Sequence, residues 1–446
     1  MTVNRVAPGP KGHFLLGNLP DFGRDMLGFF MKCAQEYGDV VSLRLAGFPV
    51  CLLNHPDHCE YVLVTNQRNF IKHSFFWRHV TDLFGKGLLA SEGDFWLRQR
   101  RLVQPAFHRE RIAGYGQVMV DYTERMLGGW RDGEVHQIHQ EMIHLTMEIV
   151  AKTLFDIEIT DEAAGDVGHA FDQATTEVAA RLRRPFKIPE GIPIPGNLRY
   201  QNAVHRLNEL VYAIIQERQS QDGDRGDLLS MLMASQDEDG SVMSKQQLRD
   251  EMINLFIAGH ETTAVALSWT LYLLSQHPEK EAKLAAELDR VLEGRPPAVE
   301  DIPRLPYTGM IIKETMRLYP PAYVFGREAV ADCEIGGFFI ARGTTLFLSP
   351  WVIHRDKRFY ESPEDFKPER WDENITSQPP RYAYLPFGSG PRMCIGISFA
   401  MMEMTLVLAT IARKFKLRLN PHQAEVPFPS ITLRPAAGMR MIVSSR

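Results

Sequence analysis

Phe387-Gly388-Ser389-Gly390-Pro391-Arg392-Met393-Cys394-Ile395-Gly396 is the stretch on which the reading of this 446-residue chain turns. One cysteine sits in a loop punctuated by three glycines, with an arginine two residues before the thiol. Glycines at that density let a backbone bend tightly against something flat and bulky. The following run, Ile397-Ser398-Phe399-Ala400-Met401-Met402-Glu403-Met404, reads as the first turns of a helix. A thiol just ahead of a helix N-terminus feels the helix dipole and free backbone N–H groups. Both favour the thiolate, the form that binds metal. A lone thiolate, with no second Cys or His nearby in sequence, suits the axial position of a haem iron better than a zinc site, which takes about four ligands. By position alone a buried, inert cysteine is the commoner reading. The complete decapeptide reverses it.

Upstream lies the longest helical pattern. Ser244 with Gln247 forms a capping box, apolar periodicity runs to about Gln276, and His277-Pro278 stops it. About 33 residues rising 1.5 Å each span roughly 50 Å, enough to cross the molecule. Its middle reads Ala258-Gly259-His260-Glu261-Thr262-Thr263. Gly259 and two threonines together cost roughly 1–2 kcal/mol against alanine in a helix interior. A local violation of that kind marks a functional site. Small Ala258 and Gly259 leave room for a small ligand and let the helix approach closely. The Thr262 hydroxyl can bond the Ala258 carbonyl or hold a water in a widened groove. Glu261 and Thr262 together supply an acid and a hydroxyl for moving protons.

Two further patterns complete the set. Glu314 and Arg317 stand at i,i+3 on one predicted helix face, and Phe366-Lys367-Pro368-Glu369-Arg370-Trp371 follows at a distance. Taken alone, such a pair is a surface salt bridge of little worth. Trp96-Leu97-Arg98-Gln99-Arg100 places an aromatic N–H donor and an arginine at i,i+4.

These four motifs, in this order, resemble those of the cytochrome P450 family, and the resemblance spans essentially the whole chain. It implies a mainly α fold with a smaller β portion and a long central helix over a buried haem. A single domain over 1–446 follows, with 1–60 and 322–349 contributing most of the β portion. The implied cofactor is haem b, non-covalent because Ala258 stands where some relatives carry an esterified glutamate, with Cys394 as iron ligand. Phe387, Gly388, Gly396, Ala258 and Gly259 are carried over as residues against the haem. Trp96, Arg100, Arg392 and Arg327 (in Phe325-Gly326-Arg327) are carried over to its propionates, with Arg78 or His79 as a further candidate. Charge-assisted hydrogen bonds are what a buried propionate requires. Glu314, Arg317 and Arg370 become a buried structural triad, and Thr262 and Glu261 the catalytic pair.

The implied activity inserts one oxygen atom from O2 into a C–H or C=C bond of a lipophilic substrate, of the fatty-acid or terpenoid kind. Electrons come from a separate ferredoxin or flavodoxin with its reductase, since no reductase segment follows Arg446. A peroxide-driven or isomerising haem-thiolate enzyme is a rival reading, though it has no need of the Glu261–Thr262 pair. A haem sensor or carrier is another, and product formation separates it from an enzyme.

Composition fits this frame: 44% hydrophobic, 24% charged, net charge −5, with nothing that calls for nucleic acid. Cys33, Cys51, Cys59, Cys333 and Cys394 are odd in number and unpatterned, which argues against a disulfide framework and for a reducing compartment. The chain opens on Pro8-Gly9-Pro10-Lys11-Gly12, without a secretory signal or an apolar span of roughly 20 residues. The expectation is a cytoplasmic monomer without a transmembrane anchor.

Elsewhere, Val40–Leu45 and Pro49–Leu53 read as a hairpin turned at Gly47. Arg111–Trp130, Gln140–Phe155, Asp161–Arg183 and Tyr200–Gln221 read as helices, and Pro185–Pro195 as an exposed connection. Strands are expected at Glu334–Ile340, Thr344–Leu348 and near Met439–Ser444. Arg98, Arg101, Arg109 and Arg111 are read on one helix, facing only Asp94 and Glu110: a solvated face, or a dock for an acidic electron donor. Phe70, Phe75, Phe76, Trp77, Leu83, Phe84, Leu88 and Leu89 pack the core or wall an apolar pocket, to which Tyr323, Val324, Phe325 and Phe428 add. Lys72 or Arg181 is a candidate anchor for a substrate carboxylate.

Overall fold

The helix Lys245–Gln276 is 32 residues long and organises the computed structural model around it. The structure describes residues 5–72, 81–158, 161–182, 188–189, 191–220, 225, 227–235, 242–374, 378–421, 423 and 425–446. Both halves of the capping box form: Ser244 Oγ accepts from Gln247 N–H, and the Gln247 side chain accepts from Ser244 N–H. Most of this helix is buried around its circumference, as expected of a core helix. Its hydroxyls are therefore satisfied inwards, Ser268 donating to Ala264 O at 2.6 Å and Thr270 to Ala266 O at 2.7 Å.

The helix Ile138–Phe155 packs along it, and Gly259 is the reason it can come so close. A Cβ at Gly259 would lie 2.9 Å from Val150 Cγ2. The missing side chain thus points at the neighbouring helix. This bears out the close helix approach expected of Gly259, while its backbone still lines the cavity beside Ala258. On another side lies the cysteine-bearing helix, Ile397–Lys414. Trp269 closes the core by stacking on Tyr319 at 4.1 Å and donating to Leu433 O at 2.8 Å.

Strands gather in small sheets. The largest runs in the order Val40–Leu45, Phe48–Leu53, Thr345–Leu348, Phe325–Ala329, Phe70–Ile71. Its hairpin turns on Ala46-Gly47, both at positive φ, as a tight two-residue turn requires. The expected strand Glu334–Ile340 is instead a hairpin, Cys333–Ile335 against Phe338–Ile340, because Gly336 and Gly337 both adopt positive φ between them. Val135–Gln137, Arg440–Ser445 and Phe415–Leu419 form a second sheet, and Pro427–Pro429 pairs with Leu433–Pro435. The arginine-rich helix is also divided. Pro105 lacks an N–H, so Gly93–Val103 passes into a short tight turn of helix before Arg109–Leu127 begins, separating Arg98 and Arg101 from Arg109 and Arg111.

In the Glu314 triad, Glu314 and Arg317 are wholly buried and Arg370 reaches them from a half-buried position. Arg317 uses all five donors: two to the Glu314 carboxylate, and three to the carbonyls of His354, Pro363 and Asp365. Arg370 and the Trp371 indole N–H complete the carboxylate shell at 2.9 Å each. Burial, with Arg317 beside it, pushes His354 down to about 3, so it is neutral. Its Nδ1 bonds Arg317 O while its Nε2 accepts from Leu385 N–H. The triad is thereby tied to the residue that leads into the cysteine loop.

Candidate active site

The cysteine loop is built by close backbone approach. Cys394 N–H donates to Phe387 O at 3.0 Å, and Gly388 and Gly390 take positive φ. A Cβ on Gly390 would lie 1.9 Å from Leu63 O, so this glycine serves contact with the protein itself. Gly396 caps the helix Ile397–Lys414, two residues after Cys394. The thiol faces a cavity of about 290 Å³. Burial raises the Cys394 pKa, against the opposing pull of the Gly396 N–H, Arg100 and Lys72. The Gly396 N–H acts in the direction expected of the free backbone donors, and a bound cation would stabilise the anion further.

Across the cavity stand Ala258, the Gly259 backbone, Thr262 and Thr263. Thr262 Oγ1 donates to Ala258 O at 2.8 Å and Thr263 Oγ1 to Gly259 O at 3.0 Å. With their protons bound back to the helix, both hydroxyl oxygens retain acceptor capacity.

One end of the cavity is cationic. Lys72, Arg100, Arg327 and Arg392 line it with Trp96. The Arg392 guanidinium lies 4.3 Å over the Trp96 ring and pairs with Glu92; Arg100 donates to Met393 O at 3.0 Å. Burial, and then Arg392, bring Arg327 down to about 10. Burial and the two arginines Arg327 and Arg392 push Lys72 well below the usual lysine range. Glu92 is the acid acting on Lys72, Arg327 and Arg392 alike. Sequence reasoning missed it, since nothing local connects it to Arg392 300 residues away. Lys72, offered as a substrate anchor, belongs to this cationic end. Arg181 lies elsewhere, 3.9 Å over the Tyr200 ring. Arg78 and His79, with Phe75, Phe76 and Trp77, fall outside the described residues.

These residues fit a flat, iron-bearing dianion. Among the described residues, Arg100, Arg327 and Arg392 bring more positive charge to this end than Glu92 offsets, which is costly away from water until an anion enters. The remaining wall, including Phe325, Phe387, Gly388, Gly396 and Phe399, is mostly apolar, and the thiol supplies one metal ligand.

A second chamber, about 280 Å³, shares Ala258, Thr262, Phe325 and Lys72 with the first. Phe22, Phe30, Phe84, Ile257, Tyr323 and Val324 contribute to its wall. Phe428 does not; it is partly exposed on its short strand while its neighbour Pro429 lines the chamber. Glu261 lines only this second chamber. It is buried, accepting 2.7 Å hydrogen bonds from Thr432 Oγ1 and Arg434 Nε. Burial raises its pKa, but Arg434 and these hydrogen bonds outweigh that and hold it below the usual range, ionised. Arg434 in turn reaches Asp172 on the helix Asp161–Leu182. Glu261, expected from sequence to share in moving protons with Thr262, is held here as a clamped carboxylate.

Among the described residues, no helix is long and apolar enough to cross a membrane. The family model for Cytochrome P450 matches residues 7–440. Cyclooctatin synthase of Streptomyces melanosporofaciens is 38% identical over 446 residues, covering 99% of this chain and 95% of that protein. Pentalenene oxygenase of Streptomyces avermitilis is 36% identical over 94% of this chain and 92% of its own. Cyclooctat-9-en-7-ol 5-monooxygenase of Streptomyces melanosporofaciens is 36% identical over 91% and 89%. A thiol facing long-helix hydroxyls across a cavity with a cationic end, and a match over nearly the whole length, lead to one conclusion: the chain belongs to the cytochrome P450 family and is a haem-thiolate monooxygenase.

Proposed function

We propose that the enzyme oxygenates a neutral, cyclic terpenoid-like substrate seated in the second chamber. The observation that carries this is the chamber's wall. It is apolar apart from Glu261, a few hydroxyl and carbonyl groups, and the cations Lys72 and Arg327, which belong to the cationic end of the first cavity. Among the described residues, a fatty-acid carboxylate thus meets an acid here and no cation of its own. Relatives named for oxygenating pentalenene and cyclooctat-9-en-7-ol support the same class.

The cofactor is haem b, held without a covalent bond because Ala258 offers no carboxylate. Cys394 would supply the iron's thiolate ligand, and Trp96, Arg100, Arg327, Arg392 and Lys72 would hold the propionates. Phe387, Gly388 and Gly396 lie on the cysteine side and Ala258 and Gly259 on the other. When bound, this group supplies the activation of O2. The protein's share is to exclude water with the apolar wall and to move protons. Thr262, its own proton bound to Ala258 O, accepts a hydrogen bond from a water in the cavity and holds it there. Glu261, one residue before Thr262, is held ionised by Arg434 and Thr432 and contributes a fixed negative charge on the helix that bears the Thr262 hydroxyl. Electrons arrive from a separate ferredoxin or flavodoxin with its reductase, and the enzyme works as a monomer.

Ligand titration tests the substrate class. Terpenoid hydrocarbons and alcohols should displace the iron-bound water, seen in the absorption spectrum, at lower concentration than fatty acids of equal carbon number. The best binders should give oxygenated products with O2, NAD(P)H and surrogate partners. A fatty acid that outcompetes every terpenoid would overturn the reading. Cys394→Ser should shift the reduced-CO absorption to shorter wavelength; an unchanged spectrum would remove Cys394 as ligand.

A further inference from the structure

The connection that follows the short helix Thr81–Phe84 lies along the long helix and is fastened to it. Lys86 N–H donates to Asp250 Oδ2 at 2.8 Å, Leu88 N–H to Glu251 Oε2 at 3.0 Å and Leu89 N–H to Asn254 Oδ1 at 2.9 Å. The Asn254 amide group returns a hydrogen bond to Phe84 O at 2.6 Å. Three N–H groups and one carbonyl of a short loop are thus taken by three side chains about one helical turn apart. Asp250, Glu251 and Asn254 are each at most 5% exposed, so water competes little for these bonds.

The clamp is built from both sides. Gln246 Nε2 and Arg249 hold the other oxygen of Asp250 at 2.8 and 2.9 Å, and Arg249 is itself tied to Asn208 at 2.7 Å. On the loop side, Gly87 permits the approach: a Cβ there would lie 2.4 Å from Asn254 Nδ2 and 2.7 Å from Asp250 O. What is positioned is cavity wall. Phe84 lines the second chamber, Leu88 the first and Leu89 both. Asp250 and Asn254 precede Ala258 and Thr262 at four-residue steps, so one helix carries both the clamp and the hydroxyl opposite the thiol. A connecting loop ordinarily moves independently of its flanks, whereas this one is bound to the helix beside it.

We propose that Asn254, acting with Asp250 and Glu251, is a positioning residue that sets substrate specificity by fixing residues 84–89 as a rigid wall. The proposal rests on the reading of the second chamber as the substrate's seat. Apolar contact has no direction, so a preference among isomers of equal size comes from the shape of the wall. A wall already held in place loses little freedom when the matching isomer binds.

Hydrogen exchange read by mass spectrometry on the haem-loaded protein tests the clamp, and ligand titration tests its consequence. In the parent, the amides of Lys86, Leu88 and Leu89 should exchange at least about a hundredfold more slowly than in an unfolded chain. Asn254→Ala should raise their rates about tenfold or more, the loss of roughly one hydrogen bond. Gly87→Ala, which pushes the loop away without altering the helix, should do the same. Both variants should keep the parent's reduced-CO absorption and its protection across 264–274. The preference for a cyclic terpenoid alcohol over its open-chain isomer, read as the ratio of dissociation constants, should fall about threefold or more in both variants. Fast exchange at 86–89 in the parent overturns the proposal, as does a variant that loses this protection and still discriminates like the parent. Protection lost evenly over 84–91 and 264–274 overturns it too, because the three side chains then serve the core at large. Exchange is read without ligand, so its failure is distinct from a failure of the substrate titrations.

Discussion

Gly259→Ala separates two explanations of the glycine one helical turn before Thr262. The new methyl would lie 2.9 Å from Val150 Cγ2, well inside ordinary van der Waals contact. Val150 is fully buried and its β-branched side chain is stiff, so one of the two helices must shift by roughly half an ångström. Overpacking of this kind costs about 1–3 kcal/mol, while alanine regains about 1 kcal/mol of helix propensity. A net loss of about 1 kcal/mol follows, read as a lower midpoint in urea denaturation of the haem-loaded protein. Val150→Ala destabilises by itself by emptying core volume, but in its presence Gly259→Ala should become neutral or stabilising. The coupling between the two sites should exceed the roughly 0.3–0.5 kcal/mol scatter of independent sites. Because the methyl points away from the cavity, CO binding to the reduced protein should match the parent. A variant as stable as the parent that binds CO poorly would refute the packing account and return the glycine to the ligand side.

Thr262→Ala should still bind O2 but divert electrons into hydrogen peroxide and water; unchanged product per NAD(P)H would remove Thr262 from proton handling. Arg98→Glu with Arg101→Glu should slow first electron transfer from an acidic donor at low salt, with the gap narrowing as ionic strength rises; equal rates at low salt would make these arginines a solvated face. Glu403, buried on the cysteine helix beside Thr263, is raised well above its usual value of 4.5 by burial. Between 4.5 and that raised value the native state holds a proton the unfolded chain releases, so stability falls as pH rises. Glu403→Gln should remove this fall, gaining on the parent by about 1.4 kcal/mol per pH unit within the window; parallel pH profiles would show that Glu403 is already ionised.

The features legible in sequence are those written in contiguous residues. The capping box at Ser244, the stop at His277-Pro278 and the helix after Gly396 each follow from neighbours a turn apart, and all appear where expected. Strands were read less well where they are short. Glu334–Ile340 looked continuous because its apolar residues surround two glycines, whose positive φ is a conformation rather than a composition. Pro427–Pro429 and Leu433–Pro435 have three residues each, too few to display an alternating pattern.

Cys394, its loop and the long helix that faces it were determined by the sequence itself, because ligand chemistry, capping and helical period are local properties. The tertiary structure decided what those residues meet. It set Gly259 against Val150, gathered Lys72 to Arg327 and Arg392, and brought Glu92 to the same end of the cavity. It also clamped Glu261 with Arg434 from a strand 173 residues away. Each partner is ordinary in its own segment. Its charge or its missing methyl acquires meaning only when folding removes water and leaves the opposing group a few ångströms away, where desolvation and pairing set the energies.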